Sequence, residues 1–177
     1  MSDNFAMNGL ENMDELKTRA NRVKLLLMDC DGVMTDGRLY FSSEGEAMKV
    51  FHVRDGQGIV DWHRAGFKSG VISGRGAEDI LRRRCEELGT EFLHTNSKDK
   101  TVDLQNILNA TGLSLEEVAF IGDDRGDIEI LKVVGFPVAV ADAIPELDDL
   151  AILKTTSDGG KGAIRELIDL LLGLKRA

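Results

Sequence analysis

The stretch Val23-Lys24-Leu25-Leu26-Leu27-Met28-Asp29-Cys30-Asp31-Gly32-Val33-Met34-Thr35-Asp36-Gly37 decides how the chain is read. Its first six residues form a short apolar run of the kind that makes a strand buried on both faces. The run ends abruptly in two carboxylates one residue apart, followed by a glycine. Such a strand delivers acid groups to the carboxyl edge of a sheet, and in open α/β sheets that edge is where ligands bind. Two anions so close make each other harder to ionise unless a cation sits between them. Mg²⁺ suits the position because it is hard, takes carboxylate oxygen and also holds substrate phosphate. One carboxylate of such a pair can attack phosphorus to form an aspartyl-phosphate. The other can protonate the leaving alcohol and then activate water. The competing reading is an ordinary turn after a strand, since Asp and Gly are common turn residues. Cys30 points to the opposite side of the strand from its acidic neighbours and is read as packing.

Outward from this loop the chain alternates strands and helices. A short helix over 13–22 leads into the first strand, and residues 1–12 are expected to be disordered. After the acid loop, two strand-like runs around Ser42-Ser43-Glu44-Gly45-Glu46 suggest a projecting β-hairpin, a flap over about 38–53. Arg54-Asp55-Gly56-Gln57-Gly58 closes it, and a helix over 59–65 ends at Gly66. Strands at 67–73, 91–94, 118–122, 137–141 and 152–153 then alternate with helices at 78–88, 98–110, 124–134, 144–150 and 163–174. Ser114-Leu115-Glu116-Glu117 matches a capping box that opens only a short turn. This alternation means an α/β fold with a parallel sheet covered on both faces, in a single domain spanning 1–177.

Composition limits the partners. The formal charge of −9 argues against nucleic acid or an anionic membrane surface, and it leaves an anionic substrate dependent on local cations. No apolar run is long enough to span a bilayer. Residues 1–22 are polar and lack the apolar core of a signal peptide, so a cytoplasmic location is expected. Cys30 and Cys85 are expected to be free thiols. His52, His63 and His94 show no metal-ligand spacing, although His52 sits where the flap can bring it to the site.

Three further stations carry chemistry. Val71-Ile72-Ser73-Gly74-Arg75-Gly76 places the Ser73 hydroxyl at a strand end, followed by glycines that open a helix. The hydroxyl and the backbone amides around Gly74 can hold a phosphate oxygen. Lys100, with Lys98 as competitor, begins a helix and can neutralise charge on nucleophile and phosphate. Val118-Ala119-Phe120-Ile121-Gly122-Asp123-Asp124-Arg125-Gly126-Asp127 repeats the opening pattern. Asp123 can complete the coordination of a metal held by Asp29. Asp124 and Asp127 either support it indirectly or cap the following helix.

The order of acid pair, hydroxyl, lysine and second acid cluster resembles the haloacid dehalogenase superfamily, whose members transfer phosphoryl groups through an aspartyl-phosphate. The finer pattern is similar to the 3-deoxy-D-manno-octulosonate 8-phosphate (KDO 8-phosphate) phosphatase family: the acid loop, the hairpin followed by Phe51-His52-Val53-Arg54-Asp55-Gly56-Gln57-Gly58-Ile59, then Ile72-Ser73-Gly74-Arg75, Ile121-Gly122-Asp123-Asp124, Val138-Ala139-Val140-Ala141-Asp142-Ala143 and Gly159-Gly160-Lys161-Gly162. The resemblance runs from about Val23 to Leu172. It implies a Rossmann-like, capless, Mg²⁺-dependent phosphatase that forms a homotetramer, with hairpins in a central barrel and neighbours covering each site. It implies release of free KDO for lipopolysaccharide biosynthesis. Position by position, it implies Asp29 as nucleophile and metal ligand, Asp31 as acid/base lending its backbone carbonyl to the metal, and Asp123 as the other metal ligand. Ser73, Gly74 and Lys100 would hold the phosphoryl group. His52, Val53, Arg54, Asp55, Gly56, Arg75 and Arg84 would contact the sugar acid or its phosphate, with Arg83 able to exchange roles with Arg84.

The chain departs from the resemblance at Val60, where relatives carry a basic residue, and at Asn96, where they often carry Gly. Asn tolerates a left-handed backbone, so that turn survives. A phosphatase for a nine-carbon keto-acid sugar phosphate is the nearest rival, and Arg54 and Arg75 favour the eight-carbon substrate. A phospho-accepting signalling domain is more distant, because a stable phosphoryl switch gains nothing from the second carboxylate.

Overall fold

The computed structural model describes residues 13–176 and the two-residue strand Ala6–Met7. In chain order the elements are β1 (Ala6–Met7), α1 (Met13–Arg22), β2 (Leu25–Met28), β3 (Tyr40–Ser42), β4 (Gly45–Met48), α2 (Val53–Arg64) and β5 (Lys68–Ile72). There follow α3 (Glu78–Leu88), β6 (Phe92–His94), α4 (Lys100–Thr111), β7 (Val118–Gly122), α5 (Ile128–Leu131), β8 (Phe136–Ala139), β9 (Leu153–Lys154) and α6 (Ala163–Arg176).

The apolar run Leu25–Met28 is fully buried, as a strand covered on both faces must be. It takes a central place in a seven-stranded sheet ordered β1-β9-β8-β7-β2-β5-β6. The six strands from β9 to β6 are parallel, and only β1 joins antiparallel, at the edge. The strand order reverses at β2: the chain goes outward through β5 and β6, then returns to build β7, β8 and β9 on the other side. The helices fall into two contacting groups, α1, α2, α3 and α6 in one and α4 with α5 in the other. Right-handed crossovers on either side of the reversal produce such a division, with helices on both faces. Pairing of Met28 with Val71 and with Ile121 brings the tips of β2, β5 and β7 level. Asp29, Ser73 and Asp123 therefore emerge together, at the point where α/β sheets open a ligand crevice. The β3–β4 hairpin forms a separate two-stranded sheet.

Several boundaries differ from the sequence expectation. The frayed segment was expected over 1–12, yet Ala6 and Met7 pair with Lys154 and Leu153; its other residues lie outside those described. Helix α2 starts at Val53 rather than Ile59, so Arg54–Gly58 is helical and not a closing loop. Glycines normally weaken a helix. Here Gly58 lets α6 approach so closely that a Cβ would meet the Arg165 Cα at 3.2 Å, and packing overrides propensity. Helix α5 keeps only 128–131 of the expected 124–134, and 144–150 contains one tight turn at Pro145–Leu147. Both cysteines are buried free thiols. Asn96 adopts φ +56°, the left-handed conformation its side chain tolerates.

The loop before α6 clamps the acid loop. Gly160 N donates to Val33 O at 2.9 Å, and Gly159 N donates to Asp142 Oδ1 at 2.9 Å. A Cβ on Gly159 would lie 1.7 Å from Gly32 O, and neither backbone can retreat cheaply. Gly159→Ala should therefore destabilise the protein by about 1–3 kcal/mol, the usual cost of overpacking. A thermal melt should show a fall of several degrees; an unchanged melt would mean the two loops are not held in contact.

Candidate active site

After β2 the chain makes one irregular helical turn over Cys30–Met34, interrupted at Asp31 and at Gly32, whose φ is +99°. A side chain at Gly32 would meet Asp123 Oδ2 at 2.0 Å, so only glycine lets the two acid loops touch. Asp29 is buried, and its Oδ1 accepts from Lys100 Nζ at 2.5 Å. Lys100 also donates to Asp127 Oδ1 at 2.6 Å. Lys98 is exposed, so Lys100 is the lysine that reaches the acids. It stands at the start of α4 after Asp99, whose carboxylate caps that helix through Thr101 N. The preceding loop is tied by Asp103, which accepts from His94 Nδ1 at 2.8 Å and from the Ser97 hydroxyl.

Asp127 is both cap and support. Its Oδ2 accepts from the amides of Asp123 (2.9 Å) and Asp124 (3.3 Å), while Oδ1 takes Lys100. Oxygens of Asp29, Asp123 and Asp127 all lie within 4.8 Å of one another. Burial first, then the Lys100 attraction that partly offsets it and the neighbouring Asp127 charge, leave Asp29 raised to about 6. Burial, followed by the charges of Asp29, Asp127 and Asp124, raises Asp123 to about 8. Burial pushes the Lys100 ammonium down, but Asp29 and Asp127 outweigh it and hold it above the ordinary lysine range.

These residues fit a hard divalent cation. Asp123 Oδ1 is buried without a hydrogen-bond partner among the described residues. Asp127 has both oxygens engaged, which leaves Asp29 and Asp123 as the carboxylates with donor capacity to spare. Two carboxylates are what Mg²⁺ commonly takes from a protein. The Asp31 carboxylate is not part of this cluster. It turns to Lys49 of the hairpin, which hydrogen-bonds Oδ1, and to Arg75, whose Nε lies 3.5 Å from Oδ2.

Asp29, Asp31, Ser73, Gly74, Arg75, Lys100 and Asp123 line one cavity of about 350 Å³, together with Leu39, Asp124 and Asp127. The Ser73 side chain is buried, and its Oγ accepts from Arg75 N at 3.2 Å. The other residues expected at the substrate lie elsewhere. Val53 and Arg84 border a separate groove of about 540 Å³ with Phe51, Ile80 and Arg83. Arg84 lies over the Phe51 ring, 5.4 Å from its centroid, and donates to Glu87 at 2.7 Å. Arg54 is exposed. His52, Asp55 and Gly56 border a separate small pocket with Arg84. Asp55 is a poor candidate for substrate contact, because its oxygens accept from Gly162 N (3.2 Å) and Arg165 N (2.8 Å) at the start of α6. Gly56 makes room for Arg84, whose Nη2 would lie 2.3 Å from a Cβ there.

Sequence reasoning missed Lys49 and Glu46. The Lys49 side chain is 1 % exposed and lies 2.7 Å from Glu46 Oε1, and Arg75 Nη2 donates to Glu46 Oε2 at 3.1 Å. In sequence they are two charges on a flap strand, and no periodicity tells that the flap folds back over the acid loop.

A parallel α/β sheet with two acid loops, a buried hydroxyl and a lysine at its carboxyl edge defines a haloacid dehalogenase-like hydrolase, and the family model of that description matches residues 87–167. The chain is 39 % identical over 155 residues to the 3-deoxy-D-manno-octulosonate 8-phosphate phosphatase of Salmonella typhi, covering 88 % of this chain and 82 % of that one. The crystal structure of the phosphatase of that name from Yersinia pestis superposes with a TM-score of 0.89 at 38 % identity, covering 98 % of this chain and 95 % of the other. The enzyme from Moraxella catarrhalis, solved in complex with magnesium, phosphate and KDO, superposes with a TM-score of 0.89 at 32 % identity over 93 % and 94 % of the two chains. The chain belongs to the KDO 8-phosphate phosphatase family.

The raised carboxyls tie stability to pH and metal. Their protons stabilise the fold fully below the ordinary carboxylate range, and that contribution is lost as pH rises through about 6 and about 8. Mg²⁺ must displace those protons, so it binds better as pH rises. The Mg²⁺-induced rise in Tm, read against EDTA, should be larger at pH 8 than at pH 5 and should shrink in Asp123→Asn. An equal rise at both pH values, or an unaltered response in the variant, would place the cation elsewhere.

Proposed function

We propose that this protein hydrolyses KDO 8-phosphate to KDO and phosphate in lipopolysaccharide biosynthesis, acting as a single phosphatase domain over 1–177. The observation that carries the reading is Asp29 at the tip of β2, hydrogen-bonded to Lys100 and clustered with Asp123, in a cavity that Asp31 also lines. Similarity to a family whose members include a complex with magnesium, phosphate and KDO gives the substrate class.

Asp29 attacks phosphorus while the bond to the sugar oxygen breaks, and Asp31 gives its proton to that departing oxygen. Asp31 then takes a proton from water, the water oxygen attacks phosphorus, and the Asp29–phosphorus bond breaks to release phosphate and restore the carboxylate. Ser73, the Gly74 amide and Lys100 hold the phosphoryl oxygens. Mg²⁺, held by Asp29, Asp123 and the Asp31 backbone carbonyl, would shield the crowded negative charge. Arg75 supplies a planar guanidinium for the sugar acid.

A homotetramer accounts for the residues outside the cavity. The flap and the chain after it expose Phe41, Met48, Val50 and Val53, with Phe41 64 % and Val53 82 % accessible. Apolar surface of this kind marks an interface. His52, Val53, Arg54 and Arg84 then face a neighbour's site. Among the described residues no helix is long and apolar enough to cross a membrane.

Steady-state comparison of KDO 8-phosphate with a nine-carbon keto-acid sugar phosphate, with and without Mg²⁺, tests this reading. The eight-carbon substrate should have the higher kcat/KM, and Asp29→Asn should lose turnover on both. A higher kcat/KM for the nine-carbon substrate would overturn the substrate assignment, and near-normal turnover in Asp29→Asn would overturn the nucleophile.

A further inference from the structure

The hairpin is exposed along most of its length, with all of β3 open to solvent. Its one deeply buried charged side chain is Lys49, which lies between Asp31 Oδ1 and Glu46 Oε1. Glu46 is in turn held by Arg75. The consequence for Asp31 is asymmetric. Oδ1 accepts from the lysine, while Oδ2 is buried without a hydrogen-bond partner among the described residues, and the Arg75 Nε lies 3.5 Å from it. Both Asp31 and Arg75 line the catalytic cavity.

We propose that Lys49, anchored by Glu46, is the positioning residue that fixes the Asp31 carboxylate, leaving Oδ2 as the oxygen that exchanges the proton. This rests on the reading of Asp31 as acid/base. A carboxyl that must meet a leaving oxygen loses rate if it rotates or swings, and proton transfer works only within hydrogen-bond reach. Lysine serves because its ammonium has three donors and no acceptor, so it can hydrogen-bond Asp31 Oδ1 while it ion-pairs with Glu46. An exposed ion pair would contribute little. This pair, with the lysine enclosed and Asp31 half-buried, costs some desolvation, and removing the lysine leaves an uncompensated carboxylate beside the reacting groups. A simple pin for the flap is the alternative, since an isolated two-stranded hairpin is marginal in water.

Leaving-group dependence separates the two. A flap pin affects all substrates alike, whereas a mispositioned acid hurts those whose leaving oxygen needs a proton. Wild type, Lys49→Met, Lys49→Arg, Asp31→Asn and the double variant Asp31→Asn/Lys49→Met are compared on p-nitrophenyl phosphate and on KDO 8-phosphate. Lys49→Met should lose roughly tenfold or more in kcat/KM on the sugar phosphate and much less on the aryl ester, within the range general acids contribute. Lys49→Arg should recover most of the loss, and the double variant should be no worse than Asp31→Asn. Parallel losses on both substrates in Lys49→Met, or additive losses in the double variant, would overturn the proposal while Asp31→Asn keeps its leaving-group dependence. Parallel losses in Asp31→Asn itself would overturn the acid/base reading and this proposal with it.

Discussion

Three buried or half-buried carboxylates, Asp29, Asp123 and Asp127, are forced together at one edge of a parallel sheet, and the Lys100 ammonium pairs with two of them. Left alone, such a cluster opposes its own ionisation, and Asp29 and Asp123 show it by holding their protons above the ordinary range. Every other feature of the site serves to tolerate or exploit that crowding. Asp127 spends both oxygens on Lys100 and on the amides at the tip of β7. The structural carboxylate is thereby saturated, and the remaining negative charge is concentrated on Asp29 and Asp123.

The fold pays for this local strain with an ordinary, well-filled interior. β2 and β7 are buried throughout, and the large side chains of Trp62, Phe120 and Phe136 are fully enclosed. Trp62 stacks on Phe67 with centroids 4.4 Å apart and donates to Lys68 O. Some glycines, such as Gly66 and Gly112, only turn the chain, but two stand where loops must approach. Gly32 against Asp123 and Gly159 against Gly32 set the spacing of the acid loop more firmly than any side chain does. The flap contributes the opposite kind of part, an exposed element whose buried Lys49 reaches back to Asp31.

The strand tips were legible because a parallel strand buried on both faces announces itself as an apolar run, and a polar residue at its end has one place to go. Asp29, Asp31, Ser73 and Asp123 follow from that rule, and Lys100 from its place at a helix start. Arg54–Gly58 misled for a physical reason: Asp-Gly and Gly favour turns locally, but contacts with Arg84 and Arg165 make a helix there, and Asp55 is drawn to the α6 amides. The Lys49–Glu46–Arg75 link was invisible because it depends on how the hairpin leans, which no spacing encodes. The positions that resemblance assigns to the substrate at His52, Val53, Arg54 and Arg84 lie outside the Asp29 cavity within one chain.

A crystal structure with Mg²⁺ and beryllofluoride tests the central claim most directly, because beryllofluoride binds a carboxylate nucleophile as a mimic of its phosphoryl adduct. The account requires one Mg²⁺ coordinated by both Asp29 and Asp123, with the beryllium on Asp29 and its fluorides near Ser73 and Lys100. An ion that bridges neither pair of oxygens, or beryllium attached to another residue, would contradict it.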